Sequence, residues 1–200
     1  MSEHIARTRV ALYDIKPEIW RRVEVPLDLS LKGLHDVIQA VMGWQDCHLF
    51  EFTIGEKVYG LPDPEWDHGR KVRQAKLAKL ESFIAQGVRT FDYVYDMGDN
   101  WQHAITVETV ALADPNQKYP CFIDGERHAP PEDVGGTPGY YEFLETVSNP
   151  RHPGNRRMLE WFGGPFDPDD IDTSSLRQRL SGIAKQRNAA KTTYYKRTLN

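Results

Sequence analysis

Residues 19–43 read IWRRVEVPLDLSLKGLHDVIQAVMG, a strand, a stop and a helix in succession. In the first seven residues Ile19, Arg21, Val23 and Val25 fall on one face and Trp20, Arg22 and Glu24 on the other, the period of two that a half-buried strand requires. Pro26 ends the strand, since it has no amide proton for a ladder. Ser30 is a residue type that caps helix N-termini. Leu31, Leu34, Val37, Ile38, Val41 and Met42 then recur on one stripe as far as Gly43, which sits where a left-handed C-terminal cap belongs.

On the N-terminal side, residues 5–14 read as a second strand, joined to the first through the turn IKPE with its Pro17. On the other side, Phe50, Phe52 and Ile54 alternate, Gly55-Glu56 suits a tight hairpin turn, and residues 57–59 form the return strand. A polar loop, LPDPEWDHGR at 61–70, precedes a short amphipathic helix marked by Leu77, Leu80, Phe83 and Ile84 and closed by Gly87. Phe91, Tyr93 and Tyr95 alternate up to the turn at 96–99, and residues 101–112 alternate again. The order ββαββαββ predicts an α+β fold: an antiparallel sheet with a β-grasp-like ββαββ start and helices on one face. Helices are expected at 140–147, at 152–162 and from about Thr173 or Ser174 to Ala184.

The chain has 200 residues and a formal net charge of −4, with 40% apolar residues; that suits one globular domain, expected over residues 1–185. No acidic residue follows Asp172, whereas seven of the 25 basic residues do, so the first 172 residues carry 18 basic against 29 acidic groups, a net charge of about −11. Residues 186–200 are expected to form a flexible basic tail, which either folds back on the acidic body or reaches for a protein or nucleic-acid partner. No apolar run approaches the roughly 20 residues of a membrane span and no secretory leader is legible, so a cytoplasmic protein with reduced Cys47 and Cys121 is expected.

Residues 119–143, YPCFIDGERHAPPEDVGGTPGYYEF, hold five acidic residues, four prolines and four glycines. So many breakers predict an irregular but defined path, a candidate recognition surface rather than a regular element. The candidate surface comprises Asp96, Asp99, Trp101, His103, Asp124, Glu126, His128, Glu132, Asp133 and Tyr140. Asp96, Asp99 and His103 flank one hairpin turn, where two carboxylates and an imidazole suit a divalent cation. The alternative is that the aspartates bond turn amides and His103 points outward from its strand. Glu126, His128, Glu132 and Asp133 form a second cluster, read either as paired acid–base carboxylates or as acids favouring a helix start after Pro130-Pro131. Cys47-His48 adjoins a strand; on an extended chain neighbouring side chains diverge, which argues against a nucleophile–base pair. Trp44, Trp66 and Trp101 lie beside polar turns, as groove residues or as buried anchors. No phosphate-binding glycine loop, nucleophile elbow, zinc-helix motif or dinucleotide fingerprint occurs.

Several motifs occur together in order: IKPEIWRRVEVP (15–26), QAVMGW (39–44), CHLFEF (47–52), YDMGDNWQH (95–103), YPCFIDGERHAPPEDVGG (119–136), PGYYEFLE (138–145) and WFGGPFDPDDID (161–172). In these the chain resembles the plasmid pRiA4b ORF-3-like family, over about residues 10–180. The resemblance implies a compact α+β fold, a cytoplasmic bacterial or other prokaryotic protein associated with mobile elements, and no established activity. Family members carry cysteines around positions 122, 129 and 134; here Phe122, Ala129 and Val134 stand there, leaving Cys121 and His128 as soft ligands. Too few remain for a four-ligand zinc site, and the replacements suit apolar packing. Two functional readings stand: a non-catalytic binding or accessory module without a cofactor, and a metal-assisted hydrolase or transferase using Asp96, Asp99, His103, Glu132 and Asp133.

Overall fold

The computed structural model describes residues 3–65, 67 and 69–198, without the side chains of 191–198; Trp66 lies outside them. Strand β1 spans His4–Leu12, β2 Trp20–Pro26 and helix α1 Leu31–Met42. Ser30 Oγ accepts the Gly33 amide, and Gly43, at φ 81°, closes α1 with its N–H on the Gln39 carbonyl. Leu31, Leu34, Val37, Ile38 and Val41 are fully buried, as the stripe requires. Strands β3 (Phe50–Ile54), β4 (Lys57–Gly60), β5 (Val72–Gln74), β6 (Thr90–Tyr95), β7 (Trp101–Leu112) and β8 (Cys121–Glu126) complete one sheet in the order β5-β4-β3-β6-β7-β1-β2-β8. Helices α2 (Leu80–Ala85), α3 (Gly136–Ser148), α4 (Asn155–Phe162) and α5 (Thr173–Thr198) supply the rest. The result is an α+β fold with a β-grasp-like start and the C-terminal helices on one face. Among the described residues no helix is long and apolar enough to cross a membrane.

Two strands depart from the sequence expectation. β5 lies between the loop read at 61–70 and the helix marked by Leu77, where no strand is expected, and it pairs parallel with β4, Val58 against Val72, so the sheet is mixed rather than antiparallel throughout. Only three residues long, β5 offers no periodicity to detect. β8 lies within the breaker-rich segment and pairs antiparallel with β2, from Trp20 opposite Glu126 to Glu24 opposite Cys121. Gly125 disguises it, and the pairing explains the glycine: a Cβ there would stand 2.8 Å from the Trp20 carbonyl oxygen. Leu77, expected on a helix stripe, is 73% exposed because the chain makes a 3-10 turn there before α2 begins.

The core holds polar groups that periodicity alone does not betray. Arg21 shares the inward face of β2 with Val23 and is 2% exposed. His103 points inward from β7, not outward, with Nδ1 3.0 Å from the Trp101 carbonyl oxygen and its ring edge-on to Trp44. Burial pushes the imidazoles of His103 and His35 down to about 4, from an ordinary 6.5. The unfolded chain therefore takes up these protons first. Stability is full above the unfolded value and declines as pH falls from about 6.5 to about 4, by up to about 1.4 kcal/mol per pH unit for each imidazole. Urea midpoints at about pH 7.5 and pH 5 measure this; an unchanged midpoint contradicts it.

Candidate metal centre

Three loops meet at one end of the sheet. The first leaves α1 at Gly43: Trp44 turns inward, with Nε1 donating to the Pro130 carbonyl at 2.9 Å, and Asp46 takes a left-handed φ of 57°. Cys47 and His48 follow. The second is the β6–β7 turn, where Asp96 also has φ 57°. One of its oxygens, Oδ1, accepts the Gly98 and Asp99 amides at 2.8 and 3.2 Å; the other, Oδ2, faces His48 Nε2 at 3.5 Å. The turn reading holds for one oxygen of Asp96, and the other faces His48, not His103. The third loop follows Pro131. Glu132 accepts the Gln45 amide at 2.8 Å and the Tyr95 hydroxyl at 2.5 Å, while Asp133 Oδ1 lies 2.9 Å from His48 Nε2. Asp99 Oδ2 accepts the Gly135 amide at 3.0 Å, tying the second loop to the third.

The two acidic clusters therefore meet, and His48 is where they meet. One ligand atom each from His48, Asp96 and Asp133 lies within 4.8 Å of the others, and the same holds for Cys47, His48 and Glu132. Cys47 and His48 would diverge on an extended chain, but bends at Asp46 and His48 bring the Cys47 thiol to Glu132 and the His48 imidazole to Asp96 and Asp133. The signal was the polar run Gln45–His48 between a helix cap and a strand. Cys47 is exposed, and its thiol is shifted upward by desolvation and by the neighbouring Glu132 and Asp133. Desolvation and Glu132 likewise raise the Tyr95 hydroxyl, which stays a donor.

His35, Asp36 and Asp46 also lie close enough to hold an ion. That position already has its cation: Lys32 Nζ is 2.6 Å from Asp36 and 3.0 Å from Asp46, and both His35 nitrogens are engaged.

The other candidates are dispersed. Trp101, His103 and Tyr140 are buried in the core, at 2%, 0% and 1% exposure. Asp124 stands on β8 beside Arg22, and the Glu126 carbonyl accepts from Arg21. His128 packs on Phe166 at 4.6 Å. Phe122 and Ala129 are core residues, and the partly buried Val134 packs against the core. Cys121 and Cys47 are free thiols. Glu132 and Asp133 line a cleft of about 360 Å³ with Trp44, His128 and the half-exposed Trp161. Of the basic C-terminal residues, Arg179 bonds the Trp44 carbonyl and Arg187 pairs with Glu3 and Asp28.

Comparison with known proteins agrees with this architecture. The family described as plasmid pRiA4b ORF-3-like protein matches residues 4–175. The uncharacterized protein y4hQ of Sinorhizobium fredii (strain NBRC 101917 / NGR234) is 36% identical over 185 residues, covering 92% of this chain and 94% of its own. The crystal structure of a protein of unknown function, MM3350 from Methanosarcina mazei Go1, superposes with a TM-score of 0.78 at 34% identity, over 88% of this chain and 97% of that one.

Proposed function

The chain belongs to the plasmid pRiA4b ORF-3-like family, and from that premise we propose that His48, Asp96 and Asp133 bind a divalent transition metal used for hydrolysis or group transfer. The observation that carries this is the convergence of one imidazole nitrogen and two carboxylate oxygens from three loops on a common point. Metal bonds of about 2.0–2.2 Å place neighbouring ligands about 2.8–3.1 Å apart in an octahedral array and about 3.3–3.6 Å apart in a tetrahedral one. The 2.9 and 3.5 Å separations from His48 Nε2 fall within these ranges. Imidazole with carboxylates favours zinc, manganese or iron(II) over calcium or magnesium. Three protein ligands leave a position for water or substrate, and such an ion acts as a Lewis acid that lowers the pKa of bound water toward about 7. Glu132 is held beside the ligands by Gln45 and Tyr95. A passive recognition loop does not require this convergence, which is why the metal reading is preferred to the accessory-module reading.

Elemental analysis of protein purified without chelators, followed by calorimetric titration with zinc, manganese and magnesium, tests the proposal. One transition-metal ion per chain is expected, and His48→Ala or Asp96→Asn should each weaken binding by about 100-fold or more. Hydrolysis of activated phosphate and carboxylate esters should follow metal content. Absence of bound metal, of binding heat and of thermal stabilisation overturns it.

A further inference from the structure

Helix α1 turns three side chains toward the loop that carries Cys47 and His48, and all three close on Asp46. The Asp46 amide donates to Gln39 Oε1 at 2.9 Å, Oδ1 lies 2.6 Å from His35 Nε2, and Oδ2 lies 3.0 Å from Lys32 Nζ. Lys32, His35 and Gln39 are spaced three and four residues apart, so they share one stripe of the helix. Behind them, Gln39 Nε2 donates to the Tyr93 hydroxyl at 3.2 Å, and that hydroxyl lies 2.8 Å from His35 Nδ1.

These contacts close a ring with one consistent arrangement of protons. The Asp46 amide donates to Gln39, the Gln39 side chain to Tyr93, the Tyr93 hydroxyl to His35 Nδ1, and His35 Nε2–H to Asp46. Each residue donates once and accepts once around it. Three of its members are sealed, His35 and Tyr93 fully buried and Gln39 3% exposed, with the imidazole stacked on Phe50 at 3.7 Å, while Asp46 closes the ring from the surface with its side chain 43% exposed. In a low-dielectric interior such a satisfied network is rigid and intolerant of partial loss. Asp46 itself sits at φ 57°, a conformation that a non-glycine residue keeps where its surroundings hold it.

We infer that Asp46 is a positioning residue and that its ring with His35, Gln39 and Tyr93 pre-organises the metal centre. The ring holds the turn immediately before Cys47 and His48, and so seats the His48 imidazole between Asp96 and Asp133. The metal half of this inference rests on the reading proposed above. Outer partners of this kind are worth about 10–100-fold in metal affinity.

The experiment compares cobalt(II) binding by the full chain, Asp46→Ala, Asp46→Asn and Tyr93→Phe, well below each melting temperature. Asp46→Ala should bind about tenfold or more weakly, with a shifted visible spectrum that reports altered ligand geometry. Asp46→Asn, whose amide oxygen can still accept from His35, should recover most of the affinity. Wild-type affinity and spectrum in Asp46→Ala overturn the inference. Should that variant not fold, Tyr93→Phe decides in its place, since it removes the two hydrogen bonds that pass through the hydroxyl and nearly keeps the side chain's volume. A wild-type chain that takes up no cobalt refutes the metal reading instead. In that event the rate at which an aromatic disulfide reagent modifies Cys47, in a Cys121→Ser background, judges the positioning alone. A severalfold faster reaction in Asp46→Ala supports it and an unchanged rate overturns it.

Discussion

Replacing Gly136 by alanine is expected to unseat the metal centre and weaken the fold in one step. Gly136 has φ 66°, and an added Cβ would stand 2.6 Å from the Asp99 carbonyl oxygen, with two more Asp99 backbone atoms at 3.4 and 3.5 Å. Backbone cannot rotate away as a side chain can. The loop beginning at Asp133 must therefore lift off the β6–β7 turn, breaking the Gly135–Asp99 bond and separating Asp133 from Asp96. The left-handed conformation costs a side chain about 1–2 kcal/mol, and with the clash the loss should be roughly 2–4 kcal/mol. Metal affinity should fall by more than about tenfold, since one ligand is withdrawn. Gly163→Ala is the control. Its φ is 98° and nothing lies within 4 Å of its added Cβ, so it should cost about 1–2 kcal/mol and leave metal binding intact. Calorimetric melting and metal titration of both variants measure this. Wild-type affinity in Gly136→Ala would mean that the docking of the two loops does not set the site.

Arg21→Met should produce the largest purely structural loss. Arg21 Nε donates to the Val41 carbonyl at 2.9 Å, and Nη1 donates to the Trp20 and Glu126 carbonyls at 2.8 and 2.9 Å. Val41 lies in the last turn of α1, where carbonyls lack intrahelical partners and the helix dipole is negative. Among the described residues no carboxylate lies within ion-pair distance of Arg21, so backbone oxygens do the neutralising. Burial pulls its pKa down to about 10, which still leaves it charged at neutral pH. Methionine fills the volume but orphans three carbonyls where α1, β2 and β8 meet, a cost of about 3–5 kcal/mol. Urea unfolding measures it, and a loss below about 1 kcal/mol would show that the carbonyls find other donors.

Much of the architecture was legible along the chain. The alternation at 19–25, the Ser30 and Gly43 caps and the stripe of α1 are near-neighbour properties, and they appear as read. α3 and α4 were placed, with starts off by a few residues. α3 begins at Gly136 because Gly135, at φ 95°, lets its carbonyl reach the Gly139 amide. β8 was missed because Pro120 and Gly125 are locally strand breakers; only a partner strand shows why Gly125 is there. Arg21 fitted its strand pattern, yet nothing local announced that its charge would be buried.

The residue order alone determined the α+β class, the cap of α1 and the presence of an acidic, breaker-rich segment beside aromatic strands. Tertiary structure alone decided that His48, Asp96 and Asp133 share a point, and that His103 and Tyr140 do not belong to it. The reason is physical. Periodicity and capping act over one or two turns of chain, whereas these ligands come from three separate loops. Each of those loops has an adequate local explanation as a turn, and a common site exists only once the sheet has carried them to the same end.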